Sequence, residues 1–466
     1  MMKMTLQETA HALKSVGDLN GLENNVVTAV QTDSRLVRQG DLFICINGER
    51  FDGHNFAGQA RDNGAIALVS HKPMPEMSIP VLLVSDTVEA LGRLGAYWRH
   101  KNARHVIAIT GSAGKTTTRE MIWQTLAQKY NTGRNFKNWN NQIGLPLSIL
   151  NLGADEDYWV LELGINNDTD MDELARIASP DTAVLLNVGP CHLEGLKSVE
   201  NVANCKAKLL DYLQGPQNVI ASSDYPFLVK EVASRLELKP AWISSYNINA
   251  DYMVSYLGRG MFEVNGPDGK VIFQGSDQWS QYCENIAACW AVATLAGLNS
   301  QEIIQGVQNF QPPEQRFTIK NLADWTIIDD TYNANPLSMS RAIHSTRSMA
   351  GDRNLFLVLG DMAELGDLEA SAHVDLGREI SKTCSSGIFF YGRNKNHVLQ
   401  GLAKEHAERF FALKSQASFR SALNSLAPQG GVILFKGSRS ASMEQFLTVF
   451  KDWLADASKS TNTESP

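Results

Sequence analysis

At 466 residues and 43% hydrophobic composition, the chain is too long for one ordinary core and is expected to divide into about three domains. A net charge of -8 and a pI near 5.7 argue against an extended nucleic-acid footprint, which needs a basic face. Six scattered cysteines without a C-x-x-C pair, no apolar leader and no long apolar run point to a reduced, unexported cytoplasmic protein with no membrane span.

Residues 1–102 read as a first α/β unit, opening on an amphipathic helix over Leu6–Leu13 and strand-like runs at Val26–Val30 and Asp41–Ile46. Between those runs, Thr32-Asp33-Ser34-Arg35 sets a hydroxyl beside a planar guanidinium, chemistry suited to an anionic ligand. An Asx turn with a surface arginine explains the same four residues equally well. The loop Gly48-Glu49-Arg50-Phe51-Asp52-Gly53-His54, a capped helix to Arg61, strands at Ala65–Val69 and Val81–Val84, and a helix over Thr87–His100 complete the unit.

Residues 103–313 form the central unit. The β-branched run His105–Thr110 ends in Gly111-Ser112-Ala113-Gly114-Lys115-Thr116, and helix-favouring residues follow from Thr117. Strand, glycine loop and helix in that order cradle phosphate oxygens on backbone N–H groups at a helix N-terminus. Lys115 would reach the terminal phosphates and the Thr116 hydroxyl would ligate Mg²⁺. Ile109 stands where the usual G-x-x-x-x-G-K-[ST] spacing has its first glycine, so the loop is a compact variant.

Downstream, the amide-rich Asn138–Pro146 loop offers uncharged hydrogen bonds. Glu162 closes an apolar strand, Tyr158–Glu162, where a parallel sheet gathers its ligand groups, and a buried carboxylate there needs a cation or a salt bridge. His192 follows the strand Thr182–Val188 as an eligible metal ligand, although a lone histidine is more often structural. Val199–Leu213 has helical periodicity and contains Lys206 and Lys208, which spacing alone puts on different faces. Alternating segments within Asp251–Gly275 predict a small antiparallel insert, two helices follow, and Gln311-Pro312-Pro313 marks a linker.

Residues 314–457 alternate again, with strands at Thr326–Asp330, Phe356–Leu359, Ile388–Tyr391 and Val432–Phe435 whose C-termini carry polar and basic groups to one rim. Residues 458–466 read as a polar, disordered tail.

The ordered set TDSR, GERFDGH, TGSAGKTT, NWNNQIGLP, ELG, HLEG, KAK, DDTYNANP, GDMAELG and KGSRS, running from Thr32 to Ser440, resembles the Mur ligase family of cell-wall peptide ligases. The resemblance implies an α/β fold of three domains: a UDP-substrate domain, a central P-loop ATPase-like parallel sheet with a small antiparallel insert, and a Rossmann-like C-terminal domain. It implies ATP-dependent ligation of D-alanyl-D-alanine to UDP-N-acetylmuramoyl-tripeptide through an acyl phosphate, with ATP and Mg²⁺, by a chain expected to be monomeric. By motif, Gly111, Ser112, Ala113, Gly114, Lys115, Thr116 and Thr117 would hold the phosphates. Asn285, Arg316, Asp330 and Tyr332 would contact the rest of the nucleotide, and Ser34 and Arg35 the uridine diphosphate. Glu162 and His192 would bind metal beside Thr116, and the A-K-x-x-x-[YF] pattern makes Lys208, rather than Lys206, the lysine that the family carbamylates. Two positions depart from the family: Asn166-Asn167-Asp168-Thr169-Asp170 lacks a histidine, and Gln281 stands where one is usual. Two alternatives remain on sequence alone. A sister ligase adding a diamino acid would carry D-N-P-R where this chain has Asn333-Ala334-Asn335-Pro336, and a non-catalytic nucleotide-binding relative would not need Lys115, Glu162, His192 and the lysine together.

Overall fold

The computed structural model describes residues 3–48, 50–215, 218–235 and 239–462. Among them, four parallel strands (Val30–Gln31, Leu42–Ile44, Ala67–Ser70, Val81–Leu83) make the N-terminal sheet. The predicted single strand Val26–Val30 is two. Val26–Val27 pairs antiparallel with Met4–Thr5, while Val30–Gln31 joins the parallel sheet beside Leu42 and Phe43. The helix Thr87–Asn102 leaves this unit and lies against the next, approaching so closely that a Cβ on Gly95 would stand 2.7 Å from Pro146 Cβ.

In the central sheet, His105–Thr110 lies between Thr182–Leu185 and Tyr158–Glu162, all parallel. Parallel register brings Gly111, Glu162 and Asn187 to one rim, the rim at which open α/β sheets bind ligands. Thr132–Arg134 extends the sheet on one side, and Asn218–Ser222 and Ala241–Ser244 extend it on the other. Beyond them Tyr252–Gly258 joins parallel to Ala241–Ser244, and Met261–Gly266 and Gly269–Gln274 follow it antiparallel, the small insert that the alternation predicts.

The C-terminal sheet orders Thr318–Leu322, Trp325–Asp330, Gly431–Lys436, Leu355–Gly360, Gly387–Tyr391 and Phe410–Leu413, parallel except at the first pair. Its C-terminal rim carries Asp330 and Lys436 toward the central sheet. One apolar cluster includes Ile109 and Ile286 from the central unit with Ile328 and Leu357 from the C-terminal unit, so the two share a core. The last helix runs from Glu444 to Asn462, which makes residues 458–462 helical rather than a disordered tail, and 463–466 lie outside the described residues.

Candidate active site

The glycine loop turns at Gly114, whose φ of +78° is a left-handed conformation that suits glycine, and a Cβ there would stand 2.7 Å from Asn285 Nδ2. That amide donates to Thr118 Oγ1 at 2.7 Å and to the Gly114 carbonyl at 3.3 Å, tying the loop to the helix Cys283–Leu295. The helix Lys115–Leu126 starts directly after the turn, leaving its first N–H groups at the mouth of the cleft. Lys115 folds back to donate to the Gly111 carbonyl at 2.7 Å, and burial lowers its pKa.

Glu162 is buried to 2% exposure. Its Oε2 accepts from Thr116 Oγ1 at 2.8 Å and Arg119 Nη1 at 3.3 Å, and its Oε1 accepts from Asn140 Nδ2 at 2.6 Å. The C-terminal unit closes over this group. Arg316 Nη2 donates to Thr116 Oγ1 at 3.3 Å while its guanidinium stacks 3.7 Å above the Tyr332 ring. Asp330 accepts from the Phe317 N–H at 3.1 Å and from Lys436 Nζ at 2.5 Å. The result is a polar cleft of about 380 Å³ between the two sheets.

Of the residues singled out from sequence, Ser112 to Thr117, Glu162, His192, Asn285, Arg316, Asp330 and Tyr332 all line this cleft. Ser34 and Arg35 sit in the N-terminal unit, Ser34 buried and donating to Gln59 Oε1 at 2.7 Å, Arg35 exposed and forked onto Asp33 at 2.6 Å. Lys208 and Lys206 have different surroundings. The helix Val199–Ala207 tightens to a 3₁₀ turn at Lys208, and its ammonium is captured by Asp172 at 2.7 Å and the Asp168 carbonyl at 2.8 Å. Lys206 instead is buried to 2% exposure. Burial pushes its pKa down to about 8, with Cys191 pulling upward and Lys115 adding to the fall. Neither lysine lines the cleft itself.

Of the two departures, Asn166 and Asn167 give their backbone N–H groups to Asp170 Oδ2 at 2.6 and 2.9 Å, closing a tight turn. Gln281 leaves Nε2 buried without a partner among the described residues. Lys436, Glu364 and Asn335 also line the cleft, and motif reading gave them no individual role. Their signal was the clustering of polar residues at C-terminal strand ends.

A glycine loop at the switch point of a parallel sheet, facing a second sheet across a polar cleft, defines a P-loop α/β protein of several units. The chain matches the family models for the Mur ligase family catalytic domain over residues 26–99, the Mur ligase middle domain over 109–306, and the Mur ligase glutamate ligase domain over 315–439. It is 32% identical to the UDP-N-acetylmuramoyl-tripeptide–D-alanyl-D-alanine ligase of Bacillus subtilis (strain 168), covering 96% of this chain and 98% of that one. It is 33% identical to the enzyme of the same name from Escherichia coli (strain K12), covering 97% and 99%. A crystal structure of MurF from Acinetobacter baumannii superposes with a TM-score of 0.89 at 29% identity, covering 98% and 99%. MurF ligase from Thermotoga maritima in complex with ADP superposes with a TM-score of 0.83 at 28% identity, covering 92% and 98%. The chain belongs to the Mur ligase family. The α/β architecture expected from the motifs is the one observed. Among the described residues, no helix is long and apolar enough to cross a membrane.

Proposed function

We propose that this chain joins D-alanyl-D-alanine to UDP-N-acetylmuramoyl-tripeptide at the expense of ATP, acting as a cytoplasmic monomer. The carrying observation is the 2.8 Å bond between Thr116 Oγ1 and Glu162 Oε2 at the phosphate loop, inside a cleft that Arg316, Asp330 and Tyr332 close from the other sheet. A carboxylate is a poor electrophile until one of its oxygens becomes a phosphate leaving group. ATP would therefore phosphorylate the tripeptide's terminal carboxylate, and the dipeptide amine would displace phosphate from the acyl phosphate, giving the pentapeptide, ADP and phosphate.

Such a transfer depends on positioning and on charge neutralisation. Lys115 would leave the Gly111 carbonyl for the β/γ phosphates, while residues 111–117 offer backbone N–H groups. Arg316 would face phosphate, and Asp330 with Tyr332 the nucleoside. Ser34 and Arg35, in the unit near 1–102, would receive the uridine diphosphate.

The donor set suits Mg²⁺. A hydroxyl and a carboxylate oxygen 2.8 Å apart are hard donors, and no three His, Cys, Asp or Glu side chains gather into a cage among the described residues, which leaves positions for phosphate oxygens and water. Thr116 and Glu162 would hold such an ion, with His192 and a carbamylated lysine, Lys208 by its motif or the buried Lys206, beside a second. Bound there, it would draw charge from the transferring phosphoryl group. Carbamylation replaces an ammonium that repels the ion with an anionic oxygen.

The test is phosphate release from ATP by purified protein with UDP-N-acetylmuramoyl-tripeptide and D-alanyl-D-alanine, then with each omitted. Release that needs both substrates is expected. Release independent of the dipeptide, or none with both present, would overturn the assignment.

A further inference from the structure

One peptide group of the phosphate loop, Ser112–Ala113, is held at both of its polar ends. Its carbonyl accepts from Asn335 Nδ2 at 2.9 Å, and its N–H donates to Asn187 Oδ1 at 2.7 Å. Asn335 is the N-cap of the helix Pro336–Ala350 in the C-terminal unit. Asn187, fully buried, passes its own Nδ2 to Glu284 Oε2 at 2.8 Å. The same carboxylate oxygen accepts from Arg341 Nη2 at 2.9 Å, and Arg341 lies on that same C-terminal helix. Both grips on a single loop peptide thus trace back to one element of the opposite unit.

The chemistry makes the longer path directional. A side-chain amide has one donor end and one acceptor end, so committing Nδ2 of Asn187 to a carboxylate turns its Oδ1 toward the Ala113 N–H. Glu284 is 2% exposed, and its Oε1 has no partner among the described residues, so its charge is costly unless balanced. Arg341 supplies the balancing cation and also donates to the Tyr225 hydroxyl at 2.5 Å, which fixes its fork. Withdrawing the helix removes the Asn335 grip and leaves the Glu284 carboxylate without its counter-charge at the same moment.

We propose that Glu284 and Arg341 are positioning residues that set the phosphate loop through Asn187, so that the loop takes its nucleotide-binding shape only when the helix Pro336–Ala350 is docked. This rests on the reading that the loop receives nucleotide phosphates. Nucleotide affinity and closure of the C-terminal unit are then one equilibrium.

The test uses the full chain and four variants: Arg341→Ala, Arg341→Lys, Glu284→Gln and the double Glu284→Gln/Arg341→Ala. Each is measured for ADP affinity by equilibrium binding and for ATP KM and kcat. Arg341→Ala and Glu284→Gln should each raise the ADP Kd and ATP KM roughly tenfold, the size expected when a buried partner is stranded, while the KM for the UDP substrate stays within about twofold. Arg341→Lys should recover most of the affinity, and the double variant should lose less than the two singles combined. Arg341 also borders the cleft, so a direct phosphate contact is the competing role. In that case Glu284→Gln would leave ADP affinity unchanged or tighter, and the proposal falls. It falls equally if folded Arg341→Ala binds ADP like the wild type, or loses kcat with KM intact. Should Arg341→Ala not fold, the near-isosteric Glu284→Gln decides alone. A wild-type chain that binds no ADP would sink the nucleotide reading itself, whereas equal binding by wild type and variants sinks only the coupling.

Discussion

His192 Nδ1 lies 2.5 Å from Glu364 Oε2, a contact between the loop that ends a central strand and the loop that ends a C-terminal one. The adjacent backbone repeats it, with the Leu193 N–H donating to the Glu364 carbonyl at 2.8 Å. The His192 bond holds the Glu364 carboxyl below its usual range. With Nδ1 engaged, Nε2 is the ring nitrogen left for a ligand in the cleft, the arrangement by which a carboxylate orients a metal-bound histidine.

Glu364→Ala should therefore raise the Mg²⁺ concentration needed for half-maximal turnover by about tenfold, and Glu364→Gln, which keeps an acceptor, by less. A Mg²⁺ titration of phosphate release reads this directly. An unchanged requirement in Glu364→Ala would mean that His192 does not depend on this partner.

The two neighbouring lysines separate by burial. Lys206→Ala should lower turnover by roughly a hundredfold or more, the scale of losing one preorganised charge at a reacting phosphate. Lys208→Ala removes only a partly exposed ion pair with Asp172 and should cost less than about threefold. Addition of a short carboxylic acid should restore part of the Lys206→Ala activity by supplying the missing oxygens. Losses of the opposite order in steady-state assays would return the role to Lys208.

That distinction shows where sequence reading stops. The phosphate loop was legible because strand, glycine turn and helix are contiguous, and Glu162 because an apolar strand ending in an acid is unusual. The unequal burial of Lys206 and Lys208 goes with the helix changing pitch at Lys208, and the motif carried no sign of that. Val26–Val30 reads as one strand because propensity does not report partners, whereas its two halves belong to different sheets. Short strands such as Thr132–Arg134 and Phe410–Leu413 draw their stability from neighbours rather than from their own pattern. The Asn187–Glu284–Arg341 chain joins residues far apart in sequence, so no local spacing announces it.

In the N-terminal unit, Asp52 accepts from the His54 backbone N–H at 3.0 Å and meets its ring at 2.5 Å, and these bonds hold the Asp52 carboxyl far below its ordinary value of 3.8. A carboxyl depressed in the folded state contributes stability that is complete above its unfolded value and is lost as pH falls toward the folded one. Asp52→Asn should thus lower the thermal midpoint near neutral pH. It should also flatten the loss of stability between about pH 5 and pH 3 relative to wild type. Parallel acid profiles for the two proteins would show that Asp52 contributes nothing through this linkage.

Arg99, near the end of the helix Thr87–Asn102, reaches into the central unit and is 6% exposed. It donates to the Ala178 and Ser179 carbonyls at 3.1 and 2.6 Å and to Asp181 Oδ2 at 2.7 Å. Asp181 in turn accepts from the Val106 N–H at 2.7 Å, next to the start of the strand that leads into the phosphate loop. Arg99→Met keeps apolar bulk but strands the carboxylate and two carbonyls, and should cost about 3 kcal/mol in denaturant unfolding. The double variant Arg99→Met/Asp181→Asn removes both charges and should recover part of that loss, although the Val106 N–H then faces a weaker acceptor. Equal stabilities for wild type and Arg99→Met would mean that the Arg99 bonds contribute nothing to holding the N-terminal unit on the central sheet.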